Sequence, residues 1–331
     1  MDGSVKLLPQ GLESFLASAG WRGAEVEPLP GDASFRRYFR LRRGDETAML
    51  MDAPPPHENP APFLRVAQWL DANAMRAPHI FHVDEERGLV MLEDFGSTRL
   101  REYLEQWPDD EFPAYEAAVA ALVKLHRLPP GPFLDYGIVA YQREVKLFID
   151  WFCPAQQLYV DGRTYAAAWE EVLKPVLSRQ RPGVTVLRDY HSENIMLLGA
   201  LERQGLLDFQ DALIGHRGYD LVSLLQDARR DVPADLEAEM FDRYCHAATV
   251  DPAEFLGDYA RLGAQRNAKI IGIFVRLWQR DGKPRYLPLI ARVWALLERD
   301  LAHPALAPVA RWFDANIPDR LRHDLGGSFP A

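Results

Sequence analysis

The feature that most constrains this chain is a single pair of strand-like segments inside an otherwise helical second half. The segment LRDYHSENIMLL (187–198) is followed shortly by GLLDFQDA (205–212). Asp189 and Asn194 lie between two apolar runs, and Asp208 ends the next one. The short separation of Asp189 and Asn194 is typical of a turn, so we expect both in one loop. Asp208, at the end of the partner strand, is expected to face that loop.

The part of the chain before Ser97 predicts a different architecture. SFRRYFRLRR (34–43) and ETAMLMDA (46–53) flank a Gly-Asp turn, as in a β-hairpin. An amphipathic helix follows from Phe63 to about Ala74, and residues 79–96 predict two more strands. We therefore expect a small antiparallel sheet with one helix.

Beyond Ser97 the apolar spacing is that of helices. Helices are predicted at 111–128, 141–152, 163–180, 219–230, 234–248 and 253–280. The fold class is therefore α+β, with a β-rich lobe at 1–95 and a mostly helical lobe at 96–331 that contains a short hairpin.

Composition excludes several classes of protein. The formal net charge of −10 argues against a general nucleic-acid binder, which needs cations to neutralise phosphates. No apolar run is long enough to span a membrane, and the N-terminus lacks the pattern of a secretory signal. Two cysteines, Cys153 and Cys245, cannot build a disulfide framework. We expect a cytoplasmic monomer that binds neither nucleic acid nor membranes.

The polar residues of segments 187–198 and 205–212 are of the types that phosphoryl transfer requires. That reaction requires a loop Asp at the acceptor hydroxyl, together with oxygen ligands for Mg²⁺. Asp189, Asn194 and Asp208 are such residues. The alternative is that Asp189 and Asn194 cap turns and Asp208 merely ends a strand.

The D-x-x-x-x-N motif, the strand after it and the second Asp resemble the aminoglycoside-phosphotransferase family, which has a protein-kinase-like fold. The resemblance covers roughly residues 20–315 and includes the order of the lobes. It implies a bilobal protein, with a small antiparallel N-terminal lobe and a larger helical lobe, that uses ATP and Mg²⁺. It also implies that Asp189 is the catalytic base, and that Asn194 and Asp208 are metal ligands.

Longer segments narrow the resemblance to one bacterial branch of this family. They are GDASFRRYFRL (31–41), MDAPPPHENPAPF (51–63) and LLDFQDALIGHRGYDLVSLLQDARRDV (206–232). The branch implies transfer of the ATP γ-phosphate to the C1 hydroxyl of N-acetylmuramate or N-acetylglucosamine, giving the α-1-phosphate in peptidoglycan recycling. The alternatives are a kinase for another small alcohol, of the aminoglycoside or choline type, and a nucleotide-binding regulatory pseudokinase.

The nucleotide side departs from the usual pattern of this fold. No lysine occurs between Lys6 and Lys124, and Met51 and Asp52 occupy the strand position where a lysine would contact phosphates. Backbone amides, the metal or an arginine must replace it. We predict Arg36 for this role, with Arg37 as the alternative, although either arginine could instead lie on a solvated strand face.

Two backbone segments complete the predicted nucleotide site. The turn from Gly31 to Ser34 is predicted to cover the phosphates with its N–H groups and the Ser34 hydroxyl. Met91, Glu93 and Asp94 are predicted to form the hinge whose backbone binds adenine.

The acceptor pocket is predicted from several residues of the helical lobe. Glu144 and Trp151 are seven residues apart and share a helix face if that helix is regular. Glu144 is assigned to the sugar, or alternatively to a buried ion pair, and Trp151 to the sugar ring or to the core. The remaining substrate candidates are His191, Asp211, Arg266 and Lys269. The alternative for His191 is support of the loop, for Asp211 a turn or N-cap, and for Arg266 and Lys269 the charged side of a helix. If muramic acid is a substrate, a cation of this helix could bind its lactyl carboxylate.

Overall fold

The strands predicted near the N-terminus form one antiparallel sheet in the computed structural model, which describes residues 8–30 and 36–329. Within those residues the sheet has five strands in the order β1-β2-β3-β5-β4. The strands are β1 (Glu25–Pro28), β2 (Arg37–Arg43), β3 (Glu46–Asp52), β4 (Ile80–Asp84) and β5 (Leu89–Glu93). The register of β2 and β3 places Arg43 opposite Glu46, which confirms the predicted hairpin. Gly44, at φ 59°, supplies the left-handed residue of the turn.

Two helices accompany this sheet, α1 (Leu12–Ser18) and α2 (Ala61–Ala72). The second is the predicted amphipathic helix, and it buries Phe63, Val66 and Leu70. The first was not predicted, although its apolar residues follow helical spacing. Its Phe15 packs into a core that includes Phe39 of β2.

The chain divides into two compact units. The first consists of the described residues up to Arg99 together with Ile195–Asp211, and the second consists of Leu100–Asn194 together with the described residues from Ala212 onward. Four short strands lie near these boundaries, namely β6 (Val184–Val186), β7 (Ile195–Leu197), β8 (Gln204–Leu206) and β9 (Leu213–Gly215). β6 pairs with β9 and β7 pairs with β8, so the expected single hairpin is in fact two separate two-stranded pairs.

The second unit is mainly helical, as predicted. Its helices are α3 (Leu100–Gln106), α4 (Glu111–Arg127), α5 (Ile138–Leu147), α6 (Cys153–Ala155), α7 (Gly162–Arg179), α8 (Gly218–Leu225), α9 (Ala234–Ala248), α10 (Pro252–Gln279), α11 (Ile290–Leu301), α12 (Ala307–Asn316) and α13 (Asp319–His323). α8 ends five residues before the predicted position 230. The Asp227 side chain accepts a hydrogen bond from the Arg229 N–H (2.8 Å), which stabilises a turn where the helix was expected to continue. No helix in the described part of the chain is long and apolar enough to cross a membrane.

α5 and α10 approach each other closely, and this contact changes the geometry of α5. A Cβ atom on Gly272 of α10 would lie 2.3 Å from the carbonyl carbon of Leu147, so only glycine fits. Directly after Leu147 the chain continues as a π-helix, Phe148–Phe152. The regular α-helical spacing assumed for Glu144 and Trp151 therefore does not extend to Trp151.

Candidate active site

A buried carboxylate holds the start of the loop that follows β6. Asp220, in α8, is fully buried and accepts hydrogen bonds from the backbone N–H groups of Leu187 (2.6 Å) and Arg188 (2.8 Å). Arg188 has φ 73°, a left-handed conformation that non-glycine residues rarely adopt. Burial raises the pKa of Asp220 to about 7, against the lowering effect of the two backbone hydrogen bonds. These bonds fix the unusual backbone immediately before Asp189.

A second buried carboxylate holds the other end of the same loop. Asp227 accepts hydrogen bonds from both the N–H (3.1 Å) and the hydroxyl (2.5 Å) of Ser192. Asp220 and Asp227 were not among the residues predicted from the sequence. The sequence feature that could have revealed them is their placement, seven residues apart, in a mostly apolar segment. Acids in such a segment are unusual unless they are paired or functional.

The loop brings Asp189 and Asn194 together. The side-chain amide of Asn194 donates to the Asp189 carbonyl oxygen (2.9 Å), and its backbone N–H donates to the carbonyl oxygen of His191 (2.9 Å). Within the described residues, no donor forms a hydrogen bond with the Asp189 carboxylate. Burial would raise the pKa of Asp189, but nearby cations, Lys269 first and then Arg266 and Arg188, lower it overall. Asp189 is therefore an ionised carboxylate at neutral pH with its oxygens available to a ligand.

Glu144 is the centre of a buried ionic network. Its carboxylate forms an ion pair with Arg188 and accepts a hydrogen bond from the Tyr136 hydroxyl. It also accepts one from Gln265 (3.2 Å), and it lies 3.5 Å from the Lys269 ammonium. Burial raises the pKa of Glu144, but Lys269 and Arg188 outweigh that effect and lower it. These four partners all belong to the second unit.

The other substrate candidates of the second unit differ in their hydrogen bonds and in their burial. Lys269 also donates a hydrogen bond to the Tyr219 hydroxyl (3.2 Å). Arg266, on the same helix, is 2 % exposed. Trp151 is half-buried in the π-helical segment. His191 is buried, and burial together with the charge of Arg229 lowers its pKa to about 4, so the ring is neutral at pH 7.

In the first unit, Asp208 lies between Leu206 and Phe209, which both contact other parts of that unit. The N–H of Leu206 donates to the carbonyl oxygen of Arg76 (2.8 Å), and the Phe209 ring stacks on Phe63 of α2, with centroids 5.1 Å apart. Asp208 itself has φ 54° and accepts a hydrogen bond from the Gln210 amide (2.8 Å). The β8 strand and α2 thus determine the position of this carboxylate.

Arg36 and Asp211 line the same small cavity of the first unit, which has a volume of about 260 Å³. Glu58 also lines it, and the Arg36 guanidinium lies 3.7 Å from the Glu58 carboxylate. The alternative cation, Arg37, pairs instead with Asp52 across the β2–β3 ladder (2.9 Å). Asp52, one of the two residues at the strand position where a lysine would be expected, therefore pairs with an arginine of the neighbouring strand.

The predicted hinge residues lie at the end of β5. Met91 is buried inside the strand, where its side chain joins the hydrophobic core. The Glu93 N–H donates to the His79 carbonyl oxygen (2.8 Å), and its side chain pairs with Arg76. Asp94 follows the strand, and its carboxylate pairs with Arg40 (2.8 Å). The predicted phosphate turn, Gly31 to Ser34, lies outside the described residues.

Comparison with known proteins identifies the family. Residues 25–264 match the phosphotransferase enzyme family. The chain belongs to this family. Two relatives described as N-acetylmuramate/N-acetylglucosamine kinase come from Caulobacter vibrioides and Pseudomonas aeruginosa. The first is 35% identical over 93% of this chain and 96% of its own length, and the second is 36% identical over 93% and 94%.

A solved structure of low sequence identity shows the same fold. A choline/ethanolamine kinase family protein from Mesorhizobium loti covers 91% of this chain and 98% of its own, with a TM-score of 0.60 and 17% identity. The predicted α+β, protein-kinase-like fold and the predicted phosphotransferase activity are both confirmed. Membership of this kinase family implies ATP as the phosphoryl donor and a divalent metal.

The residues predicted to bind that metal have suitable chemistry. The Asn194 amide nitrogen is used within its own loop, and its oxygen accepts no hydrogen bond within the described residues. The Asp208 carboxylate, in the first unit, supplies oxygens of the same hard type. Amide and carboxylate oxygens are the ligands that Mg²⁺ prefers. Each of these two residues, taken by itself, therefore has oxygens of the type that a magnesium ion binds.

Proposed function

We propose that this protein is an ATP- and Mg²⁺-dependent kinase that phosphorylates the C1 hydroxyl of N-acetylmuramate or N-acetylglucosamine. The product is the sugar α-1-phosphate, formed in the cytoplasm during peptidoglycan recycling. The observation that carries the proposal is the ionised Asp189 carboxylate, which accepts no hydrogen bond from any described residue and follows a backbone fixed by Asp220. The names of the two relatives support the amino sugar as acceptor.

The proposed step is an in-line transfer. The C1 hydroxyl gives its proton to an Asp189 oxygen as the hydroxyl oxygen forms a bond to the γ-phosphorus and the bond from that phosphorus to ADP breaks. The anomeric hydroxyl is more acidic than an ordinary alcohol, so a carboxylate can serve as its base. A bound Mg²⁺, with Asn194 and Asp208 as its proposed ligands, neutralises charge on the phosphates.

The remaining roles are proposed for residues of both units. In the first unit, Arg36 and the turn from Gly31 to Ser34 are assigned to the phosphates. Met91, Glu93 and Asp94 are assigned to adenine, through their backbone because both carboxylates already bind arginines. Asp211, which lines the same cavity as Arg36, is assigned to the acceptor sugar.

In the second unit, Trp151 is assigned to the face of the sugar ring. The network around Glu144 supports a role in holding Arg188 and Lys269, so its contribution to the sugar site is proposed to be indirect.

The first test is ATP turnover with Mg²⁺ on N-acetylmuramate, N-acetylglucosamine, kanamycin and choline. We expect turnover with the amino sugars, and a kcat about 10²- to 10⁴-fold lower in Asp189→Asn. Asp314→Asn, which removes an exposed carboxylate paired with Arg322, is the matched control and should keep full activity. Reduction of the sugar to its alditol should abolish the reaction, because C1 is then no longer a hemiacetal.

Other results would point to other functions. Turnover of kanamycin or choline in place of the sugars would change the acceptor and leave the kinase assignment intact. ATP binding without turnover on any acceptor would support the regulatory pseudokinase.

A further inference from the structure

Arg266, on α10, is a buried cation for which the described part of the chain provides no partner. It is 2 % exposed, and its Nη1 atom is completely buried without a hydrogen bond. Within the described residues, no carboxylate forms an ion pair with its guanidinium and no acceptor takes a hydrogen bond from it. Two other arginines of the second unit differ in this respect, because Arg230 pairs with Glu111 and Arg261 with Asp258.

This arrangement is costly for the ligand-free protein. Arginine cannot relieve the cost by losing its proton, because its pKa is too high. A buried charge without a counter-ion is strongly destabilising, whereas a paired one is not. An anionic group of a ligand would supply the missing partner.

A second buried donor lacks an acceptor in the same region. His191 Nε2 lies 3.4 Å from the Asn194 amide nitrogen and 3.3 Å from Arg229 Nη1. Because both of those atoms are donors, Nε2 must be the acceptor and the ring proton must be on Nδ1. Within the described residues, Nδ1 is buried without a partner. Arg266 directly follows Gln265, which donates to Glu144 (3.2 Å), and Glu144 pairs with Arg188, the residue before Asp189. His191 lies two residues after Asp189 in the same loop, so both donors belong to the surroundings of the proposed base.

We propose that Arg266 and the Nδ1–H group of His191 bind the carboxylate of an acidic amino sugar. This inference rests on the proposed function. N-acetylmuramate carries a lactyl carboxylate that N-acetylglucosamine lacks, so only the first sugar can fill this subsite. A guanidinium matches a carboxylate through two parallel hydrogen bonds.

The neighbouring cations are less suitable for this role. Lys269 is already engaged by the Tyr219 hydroxyl and by Glu144, and Arg188 is paired with Glu144. Arg266 thus has a full charge and free donors where the other two are occupied.

The test compares three sugars in the complete protein: N-acetylmuramate, its lactyl amide and N-acetylglucosamine. In Arg266→Gln, kcat/KM for N-acetylmuramate should fall about 30- to 100-fold, the size of a lost hydrogen-bonded charge pair. The values for the amide and for N-acetylglucosamine should change less than about threefold. Arg266→Lys should retain part of the preference for the acid, because it keeps the charge and loses the planar fork.

Arg276→Gln is the matched control. Arg276 lies on the same helix with a buried Nε that also lacks a partner, but its pKa responds to burial, Arg280 and Asp281. The ratio of kcat/KM values for the three sugars should not change in this variant.

Thermal unfolding supplies a readout independent of turnover. Since Arg266→Gln removes an unpaired buried charge, the Tm of the ligand-free variant should equal or exceed that of the wild type. N-acetylmuramate should raise the wild-type Tm more than N-acetylglucosamine does at equal concentration, and this difference should disappear in the variant.

Two outcomes would overturn the proposal. Equal losses on all three sugars would place Arg266 at the transferred phosphoryl group or at Asp189. A lower Tm with an unchanged ratio between the sugars would make Arg266 a structural residue. Failure of the wild type to phosphorylate either sugar is a different result, because it would contradict the proposed function itself.

Discussion

The two units hold their charged side chains in different ways. In the first unit, arginines on the sheet each pair with one carboxylate, as Arg40 does with Asp94 and Arg43 with Glu46, and the second of these pairs is exposed. In the second unit, single buried carboxylates each bind several donors. Glu144 has four protein partners, and Asp220 receives two backbone N–H groups.

This difference has an energetic consequence. Exposed ion pairs contribute little to stability, because water screens them and two flexible side chains must be ordered. A buried network is different, because the loss of one member leaves the others charged and unsolvated. We therefore expect the buried charges of the second unit to fix geometry, and exposed pairs such as Arg43 and Glu46 to tolerate substitution.

The largest expected effect is that of Glu144→Gln. This change leaves the Arg188 and Lys269 charges buried without their shared carboxylate, and it should lower the free energy of unfolding by about 3–5 kcal/mol. Denaturant titration measures the loss. The kcat should also fall, because Arg188 precedes Asp189 and is held by the same network.

A surface pair of the same unit provides the control. Glu239→Gln removes an exposed carboxylate that pairs with Arg243 one turn away on α9. It should cost about 0.3–0.5 kcal/mol and leave kcat unchanged. Equal small losses in both variants would remove the distinction between buried networks and surface pairs.

The sequence could predict the elements that depend on local pattern and not those that depend on tertiary contacts. The β2–β3 hairpin and the helix of residues 61–72 follow from alternation, turn residues and apolar spacing. The π-helix after Leu147 depends instead on the close approach of Gly272, 125 positions further along the chain, which no local pattern contains.

The same limit applies to the site. D-x-x-x-x-N indicated that Asp189 and Asn194 share a loop, and the structure joins them by a hydrogen bond. Asp220 and Asp227 hold that loop by binding backbone N–H groups, which have no residue identity to be recognised in a sequence. The orphan donors on Arg266 and His191 are visible only once the partners of every neighbouring group are known.

The pH dependence of stability further tests the difference between the two units, because the second unit also buries a neutral histidine. Burial lowers the pKa of His126, in α4, to about 3, and its Nδ1 lies 2.7 Å from the Tyr244 hydroxyl. An unfolded histidine binds a proton below about pH 6.5, whereas folded His126 does not until about pH 3. Stability from this group is therefore complete above pH 6.5 and is lost as the pH falls.

The expected loss from this one histidine is about 2 kcal/mol between pH 6.5 and pH 5. His191, with its pKa lowered to about 4, adds a similar slope in the same range. The raised pKa of Asp220 opposes this slope in the same range, so His126 is isolated by comparing the two proteins: in His126→Gln the loss of unfolding free energy between pH 6.5 and pH 5 should be about 2 kcal/mol smaller than in the wild type. Parallel pH curves for wild type and variant would mean that His126 gains a proton in the folded protein.

The smallest effect is expected for a surface pair of the first unit. Arg43 and Glu46 face each other across the β2–β3 turn at 2.5 Å, and the Arg43 guanidinium also lies 4.7 Å above the Trp21 ring. Glu46→Gln should lower the free energy of unfolding by about 0.2–1 kcal/mol, and about 1 M salt should remove most of that difference. Arg43→Gln should cost somewhat more, because it also removes the contact with Trp21.

These two variants test whether the arginines of the sheet act independently. If they do, the two losses measured by denaturant titration differ only by the contacts of Arg43 with the Trp21 ring and with the Gly20 carbonyl oxygen, and neither changes the KM for ATP. A loss of about 3 kcal/mol or more for Glu46→Gln would instead be of the size found for buried networks. The strand arginines would then be coupled to one another, and Arg36 and Arg37 could no longer be treated as separate candidates for the missing lysine.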